Sequence, residues 1–205
     1  MKKVIRDLYD ICSSDYDKHM ELTGHYLAQN KIYNKVLPHM EEPIIDLASG
    51  SGYLLSLLCK DFSLVVGNDF SKEMIELVKK RNLSIPLTNK DVESLVLKDL
   101  KFNTIICCNL FYYIKNYKKS IKNWGDLLNK KGKIILIEEF PFIKPKSEEM
   151  DKHSKELMEL VNPISIEAII DIMKDGDFKF IKKYKTSIDK KHSLFGLVFD
   201  QNIKN

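Results

Sequence analysis

Short apolar runs alternate with longer segments of helical period from Glu42 onward, and this alternation limits the possible folds more than any other feature of the chain. It is typical of helices that cross over between parallel strands. We therefore predict an α/β fold in which helices cover a mostly parallel sheet. Ligands of such sheets bind where the strands end, so candidate site residues are sought at those ends.

The strands and helices of this core are predicted from apolar runs and from periodicity. Predicted strands cover residues 43–47, 64–68, 104–109 and 133–138, and predicted helices cover residues 53–62, 72–80 and 121–128. Each predicted strand ends near a polar or turn-forming residue.

Segments on either side of this core are predicted to cover it and to close the sheet. A helical pattern at residues 15–40 precedes the first strand, and another at 147–160 follows the last strand of the core. Both can cover the ligand edge. After a helix at 165–174, alternating strands at 178–184 and 194–200 are joined by too few residues for a parallel return, which implies an antiparallel hairpin.

The composition of the 205 residues suits a single domain and argues against other classes of protein. The net charge of +4 comes from 33 basic and 29 acidic residues, and only Arg6 and Arg81 are arginines, so base-specific contacts to nucleic acid are disfavoured. The four cysteines lack the spacing of a zinc site. No apolar stretch is long enough for an export signal or a membrane span. We expect a cytoplasmic protein without a metal.

A glycine turn follows the first predicted strand, where residues 44–52 read IIDLASGSG. Small residues at Ala48, Gly50 and Gly52 allow the backbone to approach a ligand closely. A Gly-x-Gly turn alone is a weak signal, and a purely structural turn is the alternative. The next strand ends in Asp69, 17 residues after Gly52, where a carboxylate can accept hydrogen bonds from both hydroxyls of a ribose. These features together predict a nucleoside site.

Two further features favour a particular kind of nucleoside. Asp91 can accept a hydrogen bond from an adenine amino group, and Val92 can pack on the ring. A dinucleotide is disfavoured, because Leu55 stands where a third glycine belongs and Asp46 would repel a pyrophosphate. A cofactor that carries an amino group suits the charge of Asp46 better.

The segments DLASGSG, VVGNDFS, KDVESL and NLFYYI together resemble the successive motifs of class I S-adenosylmethionine-dependent methyltransferases, over roughly residues 16–139. The resemblance implies a Rossmann-like sheet of seven mostly parallel strands with an antiparallel last strand, helices on both faces and an N-terminal helical lid. It implies S-adenosylmethionine as the cofactor. Ala48 departs from the glycine that is common in the family, which narrows the turn without blocking it.

The single methyltransferase domain is then expected to have four parts. They are an N-terminal helical cap (1–41), a cofactor-binding core (42–139), a lid insertion (140–163) and a C-terminal helix with a β-hairpin (164–205).

Cofactor-binding residues follow from the resemblance at the matching positions. Asp46 would lie near the methionine amino group, usually through water, and Asp69 on the ribose. Tyr16 would close over the methionine end or be an ordinary half-buried aromatic. The full set is Tyr16, Asp46, Ala48, Ser49, Gly50, Gly52, Asp69, Phe70, Met74, Asp91, Val92 and Asn109.

His192 and Tyr113 are the candidates for catalysis. His192 lies in the loop before the last strand, which an antiparallel arrangement brings to the ligand edge. Tyr113 can line an acceptor pocket, with core packing as the alternative. Glu138 and Glu139 can hold an amine or a metal, although support of the fold is the favoured interpretation.

We predict an enzyme that methylates a small molecule under a lid formed by the N-terminal helix and residues 147–160. The alternatives are an RNA or protein methyltransferase and a cofactor-binding regulator without turnover. The acceptor and the oligomeric state are left open by the sequence.

Overall fold

Seven strands and seven α-helices occur in the part of the chain that this computed structural model describes, residues 2–142 and 152–202. The strands are β1 (Ile44–Asp46), β2 (Val65–Asn68), β3 (Leu87–Thr88), β4 (Phe102–Cys108), β5 (Leu128–Phe140), β6 (Phe178–Ser187) and β7 (Ser193–Gln201). The helices are α1 (Lys2–Leu22), α2 (His25–Val36), α3 (Tyr53–Asp61), α4 (Lys72–Lys80), α5 (Tyr117–Leu127), α6 (Lys152–Leu160) and α7 (Ile166–Asp175).

All seven strands form one sheet in the order β3-β2-β1-β4-β5-β7-β6. The pairs from β3 to β5 are parallel, whereas β7 runs antiparallel to both β5 and β6. The predicted fold, with its antiparallel last strand and closing hairpin, is confirmed. The short strand β3 lies outside the predicted set, because a two-residue strand has no periodicity to read.

The two faces of the sheet are covered by different helices. On one face Ile45 and Ile134 belong to a core that includes Trp124 of α5 and Ile169 of α7. On the other face Ile44, Ile106 and Ile135 belong to a core that includes residues of α2 and α3. Because side chains alternate along a strand, Asp46 and Cys108 point to the α2 and α3 side, as Ile44 and Ile106 do.

The N-terminal segment differs from the single helical stretch predicted at residues 15–40. Helix α1 extends from Lys2 to Leu22, and Thr23 and Gly24 form a turn before α2 begins. Gly24 has a φ of 79°, which only glycine adopts without strain, so the segment turns sharply there. The result is two helices, of which α1 is free to cross over the edge of the sheet while α2 packs on its face.

The predicted lid after β5 is only partly visible. Residues 143–151 of the predicted insertion lie outside the described residues, and α6 forms its second half. Leu157 of α6 packs with Ile5 and Leu8 of α1 in a small cluster of its own. Across the described ranges, no helix is long and apolar enough to cross a membrane.

Candidate functional site

A cleft of about 840 Å³, partly open to solvent, lies between α1 and the carboxyl ends of β1, β2 and β4. The structure brings the following predicted cofactor residues together in its wall: Tyr16, Ala48, Gly50, Asp69, Phe70, Met74, Asp91, Val92 and Asn109. The other three predicted positions lie next to this wall, Ser49 in an adjoining cavity, Gly52 before α3 and Asp46 at the end of β1.

The Asp69 carboxylate is held at the cleft by backbone donors. Its Oδ2 accepts from the Gly50 N–H at 2.8 Å and its Oδ1 accepts from the Ser71 N–H at 2.9 Å. Burial raises the pKa of Asp69 to about 6, although these backbone donors oppose the rise. At neutral pH the group is therefore an anion with lone pairs left for further donors. Such a carboxylate can accept hydrogen bonds from two vicinal hydroxyls.

The Asp46 carboxylate is fully buried. The Ala48 backbone N–H and the Ser49 hydroxyl lie near it and oppose the rise of its pKa, but neither makes a hydrogen bond of good geometry to its oxygens within the described residues. Burial raises the pKa of Asp46 to about 8. Buried polar atoms are rarely left without partners, so these two oxygens indicate a missing donor. The ammonium group of S-adenosylmethionine, which resemblance places at this position, fits that requirement in charge and in hydrogen bonding.

We expect Asp46→Asn to stabilise the ligand-free chain at pH 8 by about 1 to 3 kcal/mol, since the buried anion is removed. The folded-state pKa lies above the value of the unfolded chain, so the folded state binds more protons between about pH 4 and pH 8 and the native chain loses stability as the pH rises through this range. In Asp46→Asn the free energy of unfolding should depend less on pH than in the native chain. Urea unfolding at pH 5 and pH 8 measures the free energy of unfolding of the variant and of the native chain. If the substitution changed this free energy equally at both pH values, the raised pKa of Asp46 would be contradicted.

The turn after β4 is fixed by side chains of β5. Glu138 Oε1 accepts from the backbone N–H groups of Leu110 and Phe111 at 3.2 and 3.0 Å. Asn109, with a φ of 54°, accepts at Oδ1 from the Tyr112 hydroxyl at 2.7 Å. Burial raises the pKa of Glu138 to about 8. Glu138 therefore holds the turn that forms part of the cleft wall, in agreement with a supporting role.

Three tyrosines form the wall of the cleft above this turn. Tyr9 and Tyr16 come from α1, and Tyr113 follows β4. The Tyr9 hydroxyl donates to the Tyr113 hydroxyl at 3.0 Å, and the Tyr9 and Tyr16 rings lie 6.2 Å apart. Burial raises the pKa of Tyr113 well above its usual value, so the phenol keeps its proton at neutral pH. Tyr113 can donate a hydrogen bond to a ligand, but it is a poor base.

The structure does not bring His192 to the cleft. Its loop lies at the expected edge, because Ser193 pairs with Phe140 at the carboxyl end of β5. The imidazole Nδ1, however, lies 2.8 Å from Asp189 Oδ2 in the same loop, and His192 lines neither this cleft nor the adjoining cavity. Because the Asp189 carboxylate also accepts from the backbone N–H of Lys191 at 2.7 Å, it holds the ring within its own loop.

Helix α1 is anchored over the cleft by ion pairs that were not predicted. Lys2 Nζ lies 2.7 Å from Asp91 Oδ2, and Arg81 Nη2 lies 2.5 Å from Asp17 Oδ2. Between these ends, Asp10 accepts a hydrogen bond from the Ser71 hydroxyl at the start of α4. Contacts between residues so far apart in the chain carry no local sequence signal.

A second cavity of about 360 Å³ adjoins the cleft on the side of α2 and α3. The two share the following wall residues: Tyr16, Ala48, Gly50, Cys108 and Asn109. Tyr26, Gln29 and Tyr53 belong to the second cavity alone, and the rings of Tyr26 and Tyr53 stack with centroids 3.9 Å apart. Sequence reasoning missed Gln29, because an amide on the inner face of an amphipathic helix resembles a core position.

Comparison with known proteins shows which families and folds the chain is similar to. A family described as a methyltransferase domain matches residues 44–132. Protein MJ1123 of Methanocaldococcus jannaschii, itself uncharacterized, is 27% identical over 186 residues, which are 85% of this chain and 87% of that protein. The ubiquinone biosynthesis O-methyltransferase of Coxiella burnetii is 28% identical over 96 residues, which are 45% of this chain but only 41% of that enzyme.

Solved structures share the fold at low sequence identity. A magnesium protoporphyrin IX methyltransferase from Synechocystis with bound S-adenosylmethionine superposes with a TM-score of 0.70 at 17% identity, covering 98% of this chain and 97% of that one. An S-adenosylmethionine-dependent methyltransferase from Clostridium acetobutylicum gives a TM-score of 0.68 at 19% identity, covering 95% and 99%. A putative methyltransferase of Haloferax volcanii, in complex with the Trm112 activator, gives 0.72 at 17% identity, covering 98% and 99%.

Proposed function

The chain is a class I S-adenosylmethionine-dependent methyltransferase, and from this premise we propose that it transfers the methyl group to a small organic molecule by in-line displacement. In this proposal the chain is one domain, in which residues 42–139 bind the cofactor. Helices α1, α2 and α6, which belong to the predicted segments 1–41 and 140–163, cover it, and β6 and β7 of the segment 164–205 complete the sheet.

The observation that supports the proposal is the position of α1 over the cleft. Tyr9 and Tyr16 of α1 line the cleft together with Asn109 and Tyr113, which follow β4. A cover of this kind suits an acceptor that can be enclosed, whereas RNA or a protein needs an open groove. The Coxiella burnetii relative is named for the biosynthesis of ubiquinone, and the Synechocystis protein, which shares the fold, is named for magnesium protoporphyrin IX; both are small organic molecules.

The cofactor, when bound, supplies a methyl group on a sulfonium with a good leaving group, so the chain mainly has to bind, orient and exclude water. We assign binding of the ribose to Asp69 and neutralisation of the ammonium group to Asp46. The turn held by Glu138 positions Asn109 and Tyr113 beside the acceptor. Tyr113 keeps its proton and therefore orients the acceptor by donating a hydrogen bond, and no role is assigned to His192, which lines neither cavity.

Methyl-labelled S-adenosylmethionine, incubated with the chain and with separate metabolite, RNA and protein fractions of a cell extract, tests the acceptor class. We expect label in the metabolite fraction, and none when Asp69→Ala replaces the native chain. Label in RNA, together with RNA binding that weakens steeply with salt, would favour the macromolecular alternative. Cofactor binding without any labelled product would favour a regulator.

A further inference from the structure

Helix α2 carries polar side chains on the face that packs against the sheet. Ala28 and Ile32 form its apolar stripe, and the spacing of His25 and Gln29 places both on the same face, in the first turns of the helix. His25 has a partner there, because its Nε2 lies 3.1 Å from Glu139 Oε2. Gln29, in contrast, is only partly paired.

Gln29 is buried with one polar atom unpaired. The residue is 6% exposed, and its Oε1 has no hydrogen-bond partner in the described part of the chain. Its Nε2 donates to Cys108 Sγ at 2.8 Å, which ties the amide to the end of β4. An unpaired buried amide oxygen is destabilising, and a ligand that donates a hydrogen bond removes that penalty.

The surroundings of Gln29 indicate a positively charged donor. Gln29 lines the second cavity, whose wall includes Ser49 and Gly50 of the glycine turn. Asp46 immediately precedes that turn, on the same face of the sheet as α2, and neither of its carboxylate oxygens makes a hydrogen bond of good geometry within the described residues. A carboxyl group that a neighbouring positive charge would hold ionised and a neutral acceptor lie at one edge of the sheet, and together they suit a group with several N–H donors and a positive charge, such as a primary ammonium.

We propose that Gln29 binds the amino-acid end of S-adenosylmethionine, with its Oε1 accepting a hydrogen bond from the α-ammonium group. The nucleoside occupies the larger cleft on Asp69, and the wall shared by the two cavities leads from there to Gln29. The ammonium then has two acceptors, one from the core and one from the cover helix α2. This inference rests on the cofactor of the proposed function and is independent of the methyl acceptor.

Titration calorimetry with three ligands tests the role of Gln29. The ligands are S-adenosylhomocysteine, its analogue that lacks only the α-amino group, and 5′-methylthioadenosine, which lacks the whole amino-acid chain. Gln29→Met removes the acceptor while nearly conserving side-chain volume, and Lys31→Met on the exposed side of α2 is the matched control. We expect Gln29→Met to weaken the binding of S-adenosylhomocysteine about 10-fold and the binding of the other two ligands by less than about twofold.

The ligand series separates a binding role from a structural one. An equal loss of affinity for all three ligands would mean that Gln29 only supports the fold. A loss of affinity for S-adenosylhomocysteine and for the analogue without the α-amino group, but not for 5′-methylthioadenosine, would mean that the amide contacts the carboxylate. Either result, or an unchanged affinity for S-adenosylhomocysteine, overturns the inference. If the native chain fails to bind S-adenosylhomocysteine, the cofactor assignment is wrong, and the inference about Gln29 is wrong with it.

Discussion

Asp69→Ala is expected to weaken the binding of S-adenosylhomocysteine by about 10- to 150-fold, because charge-assisted hydrogen bonds to the two ribose hydroxyls are lost, at about 1.5 to 3 kcal/mol in total. The lower affinity of Asp69→Ala also has a second cause. Asp69 also accepts from the N–H groups of Gly50 and Ser71, so its removal loosens the turn on which the nucleoside lies.

The same carboxylate predicts how cofactor binding depends on pH. With a pKa of about 6 in the ligand-free chain, Asp69 becomes protonated below that pH and then accepts weaker hydrogen bonds from the ribose. Affinity should therefore fall as the pH drops through about 6 in the native chain and stay flatter in Asp69→Ala.

Calorimetry from pH 5 to pH 8 measures both effects of Asp69. Asp175→Ala, an exposed aspartate at the end of α7, is the control for loss of one negative charge. Unchanged affinity in Asp69→Ala, or preferential binding of NAD by the native chain, would contradict the nucleoside assignment.

Removal of α1 is expected to reduce turnover about 100-fold or more while leaving most of the fold intact, since misplacement of reacting groups by about 1 Å can cost that much in rate. Among the described residues, the buried members of the two large cores that hold the sheet include none from α1. Helix α1 instead supplies Tyr9 and Tyr16 to the cleft and packs in the small cluster with Leu157 of α6.

A chain beginning at residue 23 tests this separation of cover and core. Circular dichroism and thermal unfolding report folding, and methyl transfer to an identified acceptor reports turnover. Asp17→Ala breaks the ion pair with Arg81 but keeps the helix, so its turnover should lie between that of the native chain and that of the truncated chain. A truncated chain that folds and retains full turnover would show that α1 is no lid.

The glycine turn and the acidic strand ends could be predicted because their chemistry is local. Residues 44–52 contain strand, turn and helix start in one stretch, and Asp69 follows the next strand at a fixed distance. The parallel arrangement of the sheet then brings both to one edge, where they meet through the hydrogen bond from the Gly50 N–H to Asp69.

The cover could be predicted only in outline, because its contacts join distant parts of the chain. The ion pair of Lys2 with Asp91 spans 89 positions, and the pairing of Gln29 with Cys108 spans 79. His192 illustrates the same limit, since topology predicted where its loop lies while the neighbouring Asp189 determines where its ring is held.

A crystal structure of the chain with S-adenosylhomocysteine tests the central claim most directly. We predict the ribose hydroxyls on the Asp69 carboxylate, the adenine beside Phe70 and Val92, and the α-ammonium group within hydrogen-bond distance of Gln29, all beneath α1. A ligand bound away from Asp69, or an α1 displaced to leave an open groove over the end of β4, would contradict the account.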